Sequence, residues 1–310
     1  MRKLFLVPAI GSVVAMFTTF GGLGGCGGSD PSGFTTDAGN GDKDSGQGAD
    51  APSFDDVFTP GDGAVAPVEA GPPVEVAVVY GHSPSVLYKL DPVSKNITTV
   101  GTFSGCDGSV IDMAIDENNV GYCTTFGGFF KLDLKTAKCT SIASGSYPNS
   151  LSFVPKGTLD PNAEALVGYF GSTYAKINVQ TGQIQNVGAL TGGYTSSGDI
   201  VSVKNGGTFL TVKSNSCSDC LLQVDPKTGN IVQNYGTVNH TDVFGLGFWA
   251  GSVYGFTNTG ELFEISANGN GIKTTNITIP NKPSGLSFYG AGSTTSAQAT
   301  TADGGGIVVN

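Results

Sequence analysis

The chain has 310 residues, of which 39% are hydrophobic and only 13% are charged, so it contains enough apolar material for a sizeable core. The formal net charge is −10, and no arginine follows Arg2. An acidic chain without guanidinium groups lacks the usual means of binding nucleic acid, so the composition argues against nucleic acid as a partner.

The first 26 residues have the pattern of a secretory signal. A positive start, MRK, precedes an apolar run that Pro8 interrupts and that ends in small residues, which fits a cleaved signal better than a membrane span. The ending LGGC resembles the lipobox of bacterial lipoproteins. This resemblance implies that Cys26 is the lipidated first residue of the mature chain, at the outer membrane or cell surface because Gly27 follows it. An ordinary cleaved signal with an incidental cysteine is the alternative.

Residues 27–72 are predicted to form a disordered acidic linker rich in Gly, Asp, Ser and Pro. This segment has nine acidic residues against one base and few large apolar side chains, so it cannot offset the entropy of ordering. The signal carries a charge of +2, the linker −8, and residues 73–310 carry −4. Most of the acidity therefore belongs to the linker and not to the predicted folded domain, residues 73–290. A low-complexity tail is predicted for residues 291–310.

One eleven-residue phrase occurs five times. Its copies are LYKLDPVSKNI (87–97), FFKLDLKTAKC (129–139), YAKINVQTGQI (174–184), LLQVDPKTGNI (221–231) and LFEISANGNGI (262–272). The copies start 41 to 47 residues apart, a period typical of propeller blades. Each copy alternates apolar positions and then turns sharply, which predicts a β-hairpin.

The turn chemistry supports these hairpins. In DPKTG the Asp225 side chain can cap the turn, and Gly229 supplies a left-handed residue. Lys95 and Ala137 occupy the glycine position in two other copies, where we expect the turn to be built differently.

A second motif precedes the hairpins. Its copies place a small residue between two apolar ones: MAI (113–115), LSF (151–153), VSV (201–203), LGF (246–248) and LSF (286–288). Strands that crowd a narrow axis need this pattern. The first blade lacks such a strand, and SGLSFYG (284–290) stands alone at the other end. We therefore predict an all-β, five-bladed β-propeller with four-stranded blades, closed by the C-terminal strand completing the first blade.

The hairpin phrase, generalised as LYxLDPxTG, resembles that of secreted bacterial β-propeller proteins with degenerate YVTN-like or quinoprotein-like repeats. The resemblance covers residues 73–290 and implies the architecture. Proteins of this fold include lectins, scaffolds, lactonases and glycosidases, so the resemblance leaves the activity open.

Several polar residues are predicted to lie on one face, where the loops into the inner strands meet those joining the second and third strands. His82 and His240, with Asp242, would make a two-histidine, one-carboxylate metal site if they met. Asp112, Asn149, Asp199 and Asp242 lie at or near the predicted inner strands and would suit calcium. Solvated loop residues and turn caps are the plainer interpretation of both sets. No cofactor is firmly predicted.

Five cysteines remain after Cys26. Cys217 and Cys220 are expected to form a local disulfide in an exported protein. Cys106 and Cys123 are the second expected pair. Cys139 occupies a position held by Ile in the other four copies, and it is expected to stay a buried, free thiol.

These features favour a monomeric, lipid-anchored propeller of the cell envelope that binds a protein or glycan partner without catalysis. Its contact with the membrane would be through the lipid alone. A calcium-dependent hydrolase or lactonase and a purely structural surface protein are the alternatives. The binding hypothesis expects exposed aromatic residues such as Tyr147 or Tyr194 around the mouth of the loop-rich face.

Overall fold

The computed structural model describes residues 77–268 and 271–296. These residues form five antiparallel sheets of four strands each, arranged as the blades of a propeller. The predicted all-β, five-bladed architecture is confirmed. The predicted signal with Cys26, the acidic linker and most of the predicted tail lie outside the described residues.

The strands are short, and together they use most of the described chain. In chain order the first ten are β1 (Val79–His82), β2 (Val86–Leu90), β3 (Ile97–Thr102), β4 (Val110–Ile115), β5 (Gly121–Thr125), β6 (Gly128–Asp133), β7 (Lys138–Ser144), β8 (Leu151–Val154), β9 (Ala165–Phe170) and β10 (Thr173–Ile177). The others are β11 (Ile184–Ala189), β12 (Thr195–Ser202), β13 (Thr208–Ser214), β14 (Cys217–Val224), β15 (Ile231–Thr237), β16 (Val243–Trp249), β17 (Ser252–Thr257), β18 (Leu262–Asn268), β19 (Gly271–Ile277) and β20 (Gly290–Ser293). Within this part of the chain no helix has the length and apolarity needed to cross a membrane.

The two ends of the propeller domain meet in the first blade. Blades 2 to 5 each run from an inner strand (β4, β8, β12 or β16) outward, whereas blade 1 has the strand order β20, β1, β2, β3. β20 pairs antiparallel with β1, so that Val79 lies opposite Ser293 and His82 opposite Gly290. This pairing confirms that the C-terminal strand completes the first blade and leaves the inner edge of β1 paired.

The closing strand lies later in the chain than the sequence pattern placed it. The LSF pattern predicted a strand over 284–290, but the structure forms β20 from GAGS at 290–293. Residues 284–289 form a loop in which Phe288 is buried against Tyr88 and Phe256. Any Cβ at Gly290 would collide with Asp112 Oδ1 and His82 Nε2, so only glycine fits there.

Each copy of the repeated phrase forms the outer hairpin of a blade, as predicted. The Asp or Asn at the fifth position of the phrase accepts a hydrogen bond from the backbone N–H two residues later. This holds in the four copies whose turns are fully described. The side-chain oxygens are those of Asp91, Asp133, Asn178 and Asp225, and the distances lie between 2.8 and 2.9 Å. These Asx turns fix the register between the third and fourth strands of the blades.

The expectation of a different turn in two copies is wrong. Lys95 has φ 62° and Ala137 has φ 57°, close to the 71° of Gly182 and the 70° of Gly229. The same left-handed turn is therefore built with and without glycine. The Asx hydrogen bonds and the flanking strand pairs hold these two residues in a conformation that their Cβ atoms disfavour.

The hydrophobic core is divided among the junctions between blades. Five clusters of buried side chains lie between neighbouring blades, and one of them joins blade 5 to blade 1. In that cluster Val79 and Leu90 of blade 1 accompany Trp249 and Phe256 of blade 5. Each blade therefore depends on both neighbours to cover its two faces, which stabilises the closed ring.

The disulfide prediction is half right. Cys217 and Cys220 are bonded as predicted, but Cys106 is bonded to Cys139 and not to Cys123. The loop carrying Cys106 is joined to the start of β7, because Cys139 N donates a hydrogen bond of 2.7 Å to Ser104 O. This pairing of backbones sets Cys106 beside Cys139. Cys123 is a free, fully buried thiol on β5, and burial raises its pKa to about 12.

Candidate functional site

A cavity of about 370 Å³ opens where the loops into the inner strands meet at the propeller axis. We call it the axial cavity, and the end of the propeller that carries it the mouth face. Every blade contributes to it. The lining residues are Ile111, Phe126, Tyr147, Asn149, Ser197, Gly198, Phe244 and Tyr289.

Aromatic side chains dominate the walls of the axial cavity. Phe126 is 79% exposed and Tyr289 is 36% exposed. They are two of the four large hydrophobic side chains that the described residues leave exposed, and Phe244 packs edge-on against Tyr289 with ring centroids 6.0 Å apart. Exposing apolar rings to water is unfavourable, and such residues gathered around a concavity are typical of a binding site.

Short loops hold the two exposed rings in place. Phe126 lies at the tip of the turn between β5 and β6, where Thr125 Oγ1 accepts a hydrogen bond of 3.1 Å from Gly127 N. Tyr289 directly precedes β20, and its backbone N–H donates a 2.7 Å hydrogen bond to His82 O. Both rings are therefore presented by backbone that is already hydrogen-bonded, which limits the entropy lost on binding.

The prediction of exposed aromatic residues at the mouth is met in position by Tyr147 only, and that residue is not exposed. Tyr147 lines the axial cavity, although it is largely buried and its hydroxyl donates a 2.9 Å hydrogen bond to Gly182 O. Tyr194 is not part of the lining, and its hydroxyl accepts a hydrogen bond from Asn234 Nδ2 at 2.8 Å.

Asp112 and Asp199 meet beneath this cavity and form what we call the acid pair. Both side chains are fully buried, each next in the chain to a residue that lines the axial cavity. The two carboxyl groups hydrogen-bond to each other. Burial raises the pKa of both, and for Asp112 the charge of Asp199 raises it further. The pair therefore retains a shared proton well above the pH at which an exposed carboxyl group ionises.

The remaining contacts of the acid pair involve the inner strands of all five blades. Asp112, on β4, accepts a 2.6 Å hydrogen bond from the backbone N–H of Leu151 on β8. Asp199, on β12, accepts a 2.8 Å hydrogen bond from Leu246 N on β16. Asp112 also lies against Gly290 of β20, where any Cβ would collide with Asp112 Oδ1. Two carboxyl groups thus connect five strands that share no ladder with one another, which is a structural role.

His82 lies against the acid pair but outside its hydrogen bonds. It is completely buried, and its Nδ1 hydrogen-bonds to Ser83 O at 2.9 Å. Burial lowers the pKa of His82 to about 4, so the ring is neutral at neutral pH. Its Nε2 has no hydrogen-bond partner in the described part of the chain.

The other predicted metal ligands are dispersed. His240 stacks on Phe263, with ring centroids 3.7 Å apart, and its Nδ1 lies 3.3 Å from Glu261 Oε2. Asn149 is exposed at the rim, and Asp242 lies in a left-handed turn with φ 57°. Among residues 77–268 and 271–296, the group of three metal-binding side chains that converge within 4.8 Å is Cys106, Cys123 and Cys139, two of which form a disulfide. Calcium or another metal at the predicted set stays a prediction.

A second cavity of about 490 Å³ adjoins the axial cavity and shares Ser197 and Phe244 with it. The disulfide between Cys217 and Cys220 lies at this cavity. Asp219 stands there too, with its oxygens accepting hydrogen bonds from Ser197 Oγ at 2.6 Å and Asp242 N at 3.0 Å. Burial raises the pKa of Asp219. The polar groups of this loop cluster are thus engaged with one another.

Sequence reasoning missed most of the aromatic lining. Phe126, Phe244 and Tyr289 were not among the predicted site residues, because the candidates were chosen mainly among polar and metal-binding side chains. One signal was present: in TTFGG a lone Phe stands at the tip of a tight glycine turn, where a core side chain has nothing to pack against.

No protein-family model matches the sequence, and no curated protein matches it. Among solved structures, the chain is similar to a chain in the crystal structure of a nidogen/laminin complex, with a TM-score of 0.45 and 10% sequence identity. That similarity covers 72% of this chain and 99% of the other chain. The architecture given above follows from the strand pairing of this chain itself, which makes it a five-bladed β-propeller.

Proposed function

We propose that this protein is a non-catalytic binding module, lipid-anchored at the cell envelope, whose axial cavity binds a neutral glycan. The observation that carries the proposal is the pair of exposed rings, Phe126 and Tyr289, at an uncharged cavity. Aromatic rings stack on the apolar faces of sugar rings, and the Asn149 amide and Ser197 hydroxyl can hydrogen-bond to sugar hydroxyl groups.

The lining of the cavity favours binding over hydrolysis. Its side chains are aromatic, aliphatic, amide and hydroxyl groups. Asp112 and Asp199, which the hydrolase hypothesis would use, are fully buried, and backbone N–H groups and each other occupy their oxygens. A general acid must reach the bond that it protonates, so the hydrolase hypothesis retains only Asn149 and Asp242.

A glycan-binding assay with the full chain tests the proposal. We expect binding to at least one neutral oligosaccharide on a glycan array, and a loss of affinity of about tenfold or more on Phe126→Ala or Tyr289→Ala, because each removes an apolar contact worth ~1–2 kcal/mol. Isothermal titration with the oligosaccharide found would measure this loss.

Val93→Ala is the matched control, since Val93 is 85% exposed in the turn between β2 and β3 and is not part of the axial cavity. Its affinity should equal that of the original chain. Equal affinity in all three variants would disprove the assignment of the cavity. A different result would be that no neutral glycan binds, whereas a protein binds the original chain and not the Phe126 and Tyr289 variants. The ligand of the axial cavity would then be a protein.

A further inference from the structure

Another cavity, separate from the two described above, lies between blade 1 and blade 2, at the end of the propeller opposite the mouth face. Its volume is about 750 Å³, twice that of the axial cavity. Because Ile111 lines the axial cavity near the start of β4, the turn after β4, which contains Asn119 and Val120, lies at the other end. We call this cavity the lysine cleft. Its lining residues are Val78, Tyr80, Lys89, Asn119, Val120, Lys131, Leu132, Asp133, Leu134, Lys135, Lys138 and Thr140.

The lysine cleft is positively charged, although the net charge of the domain is negative. Residues 73–310 contain 12 Lys against 16 acids, yet four of those lysines line this one cleft, where Asp133 is the only acid. All four lysines are exposed. The lining therefore carries a charge of +3 on a domain whose net charge is negative. Such a local excess attracts anions and is reinforced by the concave shape.

The four lysines have no anionic partner within the described residues. The ion pairs found there involve Lys176 and His240, and neither pair is in this cleft. The acid of the lining is engaged in the hairpin turn, because Asp133 Oδ1 accepts a 2.8 Å hydrogen bond from Lys135 N. Asp116, next to the cleft, likewise accepts a 2.8 Å hydrogen bond from Val120 N. The ammonium groups of these lysines are therefore available to pair with the anionic groups of a ligand.

The floor of the lysine cleft is apolar. Tyr80 and Leu134 are 6% and 9% exposed, and Val78 and Val120 are half-buried beside them. Lysine side chains also contribute their aliphatic stems to such a wall. An apolar side chain of a ligand could therefore be buried between the lysines, while neighbouring carboxylates pair with the ammonium groups.

This combination discriminates among anionic ligands. A membrane surface is flat and would reach lysines on a convex patch more readily than lysines around a recessed floor. A sulfated or phosphorylated polysaccharide would have no group for the apolar floor. A polypeptide that carries both acidic and large apolar side chains uses both parts of the cleft. The absence of arginine is compatible with it, since lysine pairs with single carboxylates as a point charge.

We propose that the lysine cleft is a docking site for an acidic polypeptide segment that inserts an apolar side chain between blades 1 and 2. This site is separate from the axial cavity and does not rest on the glycan proposal. It gives the propeller a second partner, held at the opposite end and recognised by charge.

Fluorescence anisotropy with the full chain and a labelled synthetic peptide, Glu-Glu-Phe-Glu-Glu, tests the proposal. We expect saturable binding at low salt that weakens steeply as salt is added, because screening shortens the range of the attraction. Reversing two charges with Lys131→Glu and Lys135→Glu together should weaken binding by tenfold or more. The peptide Glu-Glu-Ala-Glu-Glu should bind the original chain several-fold more weakly, since the apolar insertion is lost.

Lys227→Glu and Lys273→Glu together form the matched control, because they change the net charge equally at exposed lysines in other blades. This control should retain binding within about twofold, and so should Phe126→Ala. Equal loss in the cleft and control variants would mean that net charge alone drives binding and would overturn the proposal. So would an absence of peptide binding, or cleft-dependent binding to vesicles containing phosphatidylglycerol without peptide binding.

Discussion

At the scale of single residues, the acid pair is the most consequential feature of the structure. Asp112 and Asp199 are buried at the axis, and each accepts backbone N–H groups from neighbouring inner strands. Two ionised carboxylates at hydrogen-bonding distance in a buried site would repel each other strongly, so the pair keeps a proton. A group that holds a proton more tightly when folded makes stability depend on pH.

We predict that this stability decreases as pH rises. The folded pKa of both acids is raised, so the folded state binds more protons than the unfolded chain above about pH 4, the ordinary range of an Asp side chain. The contribution of the pair is complete below that pH and is lost as pH rises through the folded pKa. Urea denaturation of Asp112→Asn between pH 4 and 8 should show a flatter dependence of the free energy of unfolding on pH.

The control for this experiment is Asp107→Asn, which removes an exposed carboxyl group from the same face. It should leave the pH dependence of the original chain unchanged. An equal slope in the original chain and in Asp112→Asn would contradict the shared proton. His82 acts in the opposite direction, because its lowered folded pKa makes the folded state lose stability as pH falls.

At the scale of elements, the hairpin turn is the repeated unit, and its left-handed residue also carries packing. Gly229 has φ 70°, and a Cβ there would lie 2.5 Å from Tyr174 Cβ in the preceding blade. The turn of blade 4 therefore approaches blade 3 so closely that no side chain fits. Tyr174 and Tyr169 also donate hydrogen bonds to the carbonyls of this turn, at 2.9 Å each.

We predict that Gly229→Ala destabilises the protein by roughly 2–5 kcal/mol, measured by urea denaturation. A left-handed alanine costs ~1–2 kcal/mol, and forcing a methyl group into a packed contact costs ~1–3 kcal/mol more. Gly193→Ala is the control, since Gly193 has φ 76° but no neighbour within 4 Å of a Cβ. Gly193→Ala should show only the cost of a left-handed alanine. An equal loss of stability in both variants would contradict the close approach of the two blades.

Sequence patterns predicted the hairpins well because a hairpin turn is local: the Asx oxygen, the left-handed residue and both strands lie within about ten residues. They failed at Lys95 and Ala137, because the tendency of glycine to adopt positive φ was taken as a requirement. The acids 112 and 199 were named from their positions before inner strands, but their meeting depends on ring closure, which no local pattern contains. The pairing of Cys106 with Cys139 likewise depends on a contact that no local pattern contains, between the loop that enters blade 2 and the outer strand of that blade.

At the scale of the whole molecule, the ring is closed by four small residues. β20 pairs with β1, Ser293 Oγ accepts a 3.0 Å hydrogen bond from Phe248 N, and Thr295 O, just after β20, accepts a 3.0 Å hydrogen bond from Lys204 N. The number of blades was predictable from the number of copies of the repeated phrase, whereas the position of this strand was not. The segment that matched the inner-strand pattern instead became the loop that carries Tyr289 to the mouth.

We predict that a chain ending at Tyr289 is less stable than a chain ending at Ser296 by at least about 4 kcal/mol. The shorter chain loses the ladder to β1 and two hydrogen bonds between blades, each worth ~1 kcal/mol. It also exposes the inner edge of β1, so size-exclusion chromatography should show association. Monomeric behaviour and unchanged stability in the shorter chain would contradict closure by β20.

The acid pair has a consequence for the order in which the molecule can be made. Asp112 packs against Gly290, which leaves the ribosome about 180 residues after it. Until that late segment arrives, the pair cannot be completed and blade 1 lacks its inner strand. A nascent chain can therefore form individual hairpins early, but we expect the finished domain to appear in a single step, after translation of its last strand.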